Sequence, residues 1–77
     1  MYTIKEFIEG VGYKDTIYGN EELPRAVEQM ALLAGEYIKA VQSEGKRATL
    51  DAGNWEDGLV FRVIGNNKVY KKYAIKV

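Results

Sequence analysis

Leu59-Val60-Phe61-Arg62-Val63-Ile64-Gly65-Asn66-Asn67-Lys68-Val69-Tyr70-Lys71-Lys72-Tyr73-Ala74-Ile75 decides the fold class. Apolar residues alternate on both sides of Gly65-Asn66-Asn67, and Gly and Asn tolerate the positive φ that a tight hairpin turn demands. Leu59, Phe61, Val63, Val69, Tyr73 and Ile75 form the expected inward set, and the alternation runs on to Val77. Upstream, Ala48, Leu50 and Ala52 alternate with Arg47, Thr49 and Asp51, a third short strand. Gly53-Asn54 and Asp57-Gly58 are turn signals on either side of Trp55. The predicted strands are 47–52, 58–64 and 68–76.

Before Gly45 the period is helical. Leu23, Val27, Met30, Ala34, Tyr37, Ile38 and Val41 mark one stripe. Pro24 suits a first turn, Asn20 is the expected N-cap, and Gly45 is the expected stop, giving a helix over 21–44. Gly35 sits inside it with no packing reason in the sequence. Thr3-Ile4-Lys5-Glu6 has the pattern of a capping box, and Ile4, Phe7, Ile8 and Val11 follow helical spacing, so a short helix is expected over 3–11. Residues 12–20 read as a connection that folds back as a lid or forms one short strand. The expected architecture is α+β: a short and a long helix packed on one face of a three-stranded antiparallel meander, as one domain over 1–77. A winged-helix arrangement, with the Gly65–Asn67 hairpin as wing, is disfavoured because a third helix is missing and the long helix is acidic rather than basic.

The charges are sorted along the chain. Residues 1–57 hold all 11 acids and six of the bases, and residues 58–77 hold five bases and no acid. Such a chain presents surfaces of opposite sign and meets charged partners with orientation. There is no cysteine and no histidine, so the commonest nucleophile, general base and soft metal ligands are absent. Glu21 and Glu22 stand where a helix start favours acids, and Asp51, Glu56 and Asp57 lack the spacing of a calcium loop. No phosphate-binding glycine motif is present. No enzymatic activity, cofactor or metal is expected. No apolar run reaches the roughly 18 residues that span a membrane, and no signal-peptide pattern opens the chain. A soluble cytoplasmic protein is the expectation.

Three surfaces are candidates. Trp55, Tyr13 and Tyr18 lie in predicted connections, where aromatic residues serve as binding anchors or cap a small core. Glu21, Glu22 and Glu28 belong with Glu6, Glu9 and Asp15 to an acidic N-terminal part suited to a basic partner, or simply to a solvated helix face. Leu32 projects opposite the apolar stripe among Arg25, Glu28 and Lys39, and with Leu33 offers a contact surface for a dimer or partner. Arg62, Lys68, Tyr70, Lys72 and Lys76 line up by alternation as a basic stripe with one aromatic, suited to phosphates and a stacked base. Lysines on an outward strand also serve simply to block aggregation. The leading expectation is a non-enzymatic protein-binding module that modulates or inhibits a larger protein by steric and electrostatic occlusion, of the kind phages direct at host or defence machinery. The alternatives are nucleic-acid binding through the basic strand, and a structural or assembly subunit, including a homodimer.

Overall fold

The computed structural model describes residues 1–76; Val77, the end of the expected alternation, lies outside them. The elements in chain order are β1 (Tyr2–Ile8), β2 (Gly12–Asn20), α1 (Leu23–Ser43), β3 (Thr49–Trp55), β4 (Gly58–Gly65) and β5 (Lys68–Ile75). The five strands form one antiparallel sheet in the order β2-β1-β5-β4-β3, with α1 on one face. Two helices on a three-stranded meander are therefore overturned: the fold remains α+β, but it has one helix and two further strands.

The first of these strands replaces the short helix expected over 3–11. Ile4 pairs with Ile75 and Glu6 with Tyr73, so Tyr2, Ile4, Glu6 and Ile8 share the helix-covered face. Glu6 breaks the apolar alternation that would have announced a strand. It stays partly exposed at the rim of that face, where its carboxylate meets Lys71 Nζ at 2.7 Å. Gly10 and Gly12, at φ 79° and 103°, carry the turn into β2, with the Val11 N–H donating to the Ile8 carbonyl. Gly12–Asn20 is thus a full edge strand rather than a lid. Its pairing is interrupted once: between Thr3–Gly19 and Lys5–Asp15, three residues of β2 stand against Ile4 alone. Thr16 Oγ1 fills the gap, donating to the Ile4 carbonyl at 2.6 Å and accepting from the Tyr18 N–H. The bulge pushes Ile17 into solvent, where it is 91% exposed.

Helix α1 begins at Leu23 with Glu22 at its N-cap. The expected cap, Asn20, instead accepts the Glu22 N–H through its side chain. Ala26, Met30, Ala34 and Val41 are buried against Ile4, Phe61, Val63, Tyr73 and Ile75, which form the core. Gly45, at φ 80°, follows the end of the helix, and nothing lies near Gly35. In the C-terminal meander, β3 runs on through the expected turn at Gly53-Asn54 to Trp55. The Trp55 ring lies over Gly53, where a Cβ would stand 2.6 Å from Trp55 Cζ3 and displace the ring.

The hairpin between β4 and β5 turns through Asn66 and Asn67, both at positive φ. Just beyond it the register slips: Val63 pairs with Lys71, but Ile64 pairs with Val69. Tyr70 is the extra residue of a β-bulge, which shifts everything before it by one face. Val69, expected inward, therefore points away from α1 and is 46% exposed, while Tyr70 packs against the core.

Candidate functional site

The bulge at Tyr70 dismantles the expected basic stripe. Lys68 and Tyr70 turn to the helix side, where they line a recess with Tyr37 and Val41, and Lys68 Nζ sits 4.8 Å from the Tyr70 ring. Arg62 and Lys72 stay on the open face, paired across β4 and β5. Lys76 is exposed just past the strand. Arg62 is bound to the Asp51 carboxylate and lies 4.6 Å from the Trp55 ring, although its Nε has no hydrogen-bond partner among the described residues. Lys72 Nζ stands 4.2 Å from the Phe7 ring and 5.6 Å from that of Tyr13. On the same face Lys5 binds Asp15 at 2.8 Å. These cations already face carboxylates or rings of their own chain, which lowers what a phosphate backbone would gain from them.

The open face is closed at one place. The Tyr13 hydroxyl, from β2, donates to Asp57 Oδ2 at 2.9 Å in the turn between β3 and β4. Two strands lie between β2 and β4, about 14 Å on a flat sheet. The bond spans this gap and ties Tyr13 to the turn that follows Trp55, so two expected anchor regions share the open face. Burial, then the hydrogen bond to Asp57, pushes the Tyr13 phenol up to about 12. Burial, with Glu6 and Tyr37 beside it, raises Tyr73 as well. A tyrosine with a raised folded pKa favours the folded state fully below its unfolded value near 10, and that contribution disappears as pH rises through the folded pKa. Stability should therefore fall between about pH 10 and about pH 12. Tyr13→Phe should flatten part of this fall, leaving the share that belongs to Tyr73; urea midpoints across that range read the difference. An unchanged alkaline slope in Tyr13→Phe would mean that the Tyr13–Asp57 bond is not formed in solution.

The second meeting point joins β2 to the helix. Tyr18, Gln29, Leu32, Leu33 and Glu36 line an open groove of about 230 Å³. Leu32 is 70% exposed and Tyr18 45%. Glu28 and Glu36 stand one helical turn to either side of Leu32, and Glu28 makes no ion pair among the described residues, whereas Glu36 faces Lys39 at 3.8 Å. Glu21 and Glu22 are exposed at the head of the helix, Glu22 held to Arg25 at 3.0 Å. Gln29 Oε1 is buried without a hydrogen-bond donor among the described residues. The candidate anchors thus fall into two groups, Tyr18 with Leu32 at the groove and Tyr13 with Trp55 on the open face. Gln29 and Glu36 carry no such signal in the sequence. Glu36 was readable only as the residue four beyond Leu32, and the approach of Tyr18 to the helix depends on the course of β2 and left no local signal.

Glu21 and Glu22 stay at the helix start, and Asp51 and Asp57 are engaged by Arg62 and Tyr13. No group of three carboxylates able to hold a metal ion occurs among the described residues. No described helix is long and apolar enough to cross a membrane. No family model, curated protein or solved structure matched the chain.

Proposed function

We propose that this protein is a non-enzymatic binding module that docks on a larger protein through the groove between β2 and α1 and modulates or blocks it by occupying its surface. The observation that carries this reading is the exposed apolar groove of Tyr18, Leu32 and Leu33, lined also by Glu36 and with Glu28 one helical turn from Leu32. An exposed apolar patch with a polar rim is the usual form of a protein contact site. The fitting partner presents an apolar side chain flanked by lysine or arginine. The apolar group enters between Tyr18 and Leu32, and the acidic side chains beside it steer the approach. The basic-strand reading loses support because its five residues divide between two faces and Arg62 is already bound to Asp51.

Leu32→Glu tests this reading. Leu32 is largely exposed, so the change should alter stability by no more than about 0.5 kcal/mol. In a nuclease-treated capture from the native host, a stoichiometric, salt-sensitive partner with a basic-rimmed contact surface should be held by the wild type and by Trp55→Ala. It should be lost with Leu32→Glu. Retention of that partner by Leu32→Glu would overturn the groove as its site, and recovery of nucleic acid alone would overturn protein binding.

A further inference from the structure

The two edges of the sheet differ. On β2 the edge is broken by the bulge at Thr16–Tyr18 and carries Lys14 and Asp15, both devices that discourage strand addition. β3 has neither. Its seven residues, Thr49-Leu50-Asp51-Ala52-Gly53-Asn54-Trp55, pair with β4 in unbroken register from Thr49–Ile64 to Trp55–Gly58. It contains no proline and no lysine, and its single charge, Asp51, is bound to Arg62. Its other side meets no strand, and no side chain hydrogen-bonds to its backbone among the described residues. Thr49, Leu50, Ala52, Asn54 and Trp55 are all exposed, Leu50 at 43% and Trp55 at 47%.

We infer that β3 is a self-association edge whose occupant is β3 of a second copy, antiparallel and related by a two-fold axis through Ala52. The register argues for a copy of the same chain. Centred on Ala52, Asp51 faces the partner's Gly53, Leu50 faces the partner's Asn54 and Thr49 faces the partner's Trp55. No like charges are opposed in this register. A centre at Asp51 would set two carboxylates against each other, which destabilises a strand pair. The nearly neutral edge offers nothing to a strongly charged strand but matches itself. Pairing gives one continuous ten-stranded sheet with both helices on the same side, an isologous interface. It covers Leu50 and Trp55. Because the Tyr18–Leu32 groove lies at the opposite edge, the dimer keeps two grooves free and presents them as a bivalent pair.

Charge exchange at the axis tests this. Ala52 is exposed and faces its own copy, so Ala52→Lys should fold and give a monomer through like-charge repulsion, and Ala52→Glu should do the same. An equal mixture of the two should recover a dimer, read by sedimentation velocity, while the wild type dimerises in a concentration-dependent way. In hydrogen exchange, the outward amides of β3 should slow as wild-type concentration rises, and those of β2 should not. A monomeric wild type at every concentration, or single variants that remain dimeric, would overturn the proposal. So would a mixture that stays monomeric while the wild type dimerises. None of these outcomes touches the groove reading, which Leu32→Glu tests separately.

Discussion

Gly58→Ala should cost the fold about 3 kcal/mol, lowering the melting temperature by on the order of 15 °C. Two penalties combine at this position. Gly58 has φ 104°, a conformation that residues with a Cβ seldom adopt. A Cβ there would also stand 2.9 Å from Lys76 Cα and closer still to the Ile75 carbonyl oxygen. These are backbone atoms of the adjoining strand, so no side chain can swing aside to make room. Gly45→Ala separates the two effects. Gly45 is at φ 80° with nothing near its missing Cβ, so it should show the conformational penalty alone, about 1 kcal/mol. Urea denaturation of the three proteins gives the comparison. If Gly58→Ala were no more damaging than Gly45→Ala, the close approach of β4 to the end of β5 would be wrong.

Ile4→Ala should be as damaging, at about 3–4 kcal/mol. Ile4 is fully buried, beneath α1 and beside Ile75 in the middle of the sheet. Its loss removes packing from both layers at once, in a chain whose total stability is roughly 4–12 kcal/mol at this length. Phe7→Ala provides the contrast that distinguishes a strand from a helix over these residues. On a helix Ile4 and Phe7 would share the buried stripe. In β1 they point to opposite faces, and Phe7 is only half-buried, against Tyr13 and Lys72. The expected order is a clearly larger loss for Ile4→Ala in thermal and urea unfolding. Equal losses would restore the helical reading.

What the chain revealed in advance follows where its local and tertiary preferences agree. The stripe from Leu23 to Val41, Pro24 and Gly45 all favour one helix, and the Asn66–Asn67 turn and the alternation of β4 agree as well. Over β1 they conflict. Thr3 and Glu6 imitate a helix start, and the residue that should have been apolar for a strand is Glu6, whose partner Lys71 is 65 positions away. Similarly, strict alternation sent Tyr70 outward and Val69 inward, because an added residue in a ladder leaves no mark on the composition. The groove was half legible. Leu32 stood out on the helix, but only the edge of β2, itself hidden until the bulge at Thr16–Tyr18 is known, supplies its other wall.

The pairing of β1 with β5 makes the molecule two plates joined by a narrow seam. One plate is the hairpin β1–β2, the other is the meander β3–β4–β5, and three residue pairs, Ile4–Ile75 to Glu6–Tyr73, connect them. Each plate assembles from contacts close in sequence, but the seam joins segments some 70 residues apart and so bears the largest loop-closure cost, about 4 kcal/mol for a flexible chain. Helix α1 reduces that cost by lying across both plates as a strap. Assembly then has a natural order, with hairpins and helix first and the seam last, and the same seam is where the two halves part first when the strap loosens.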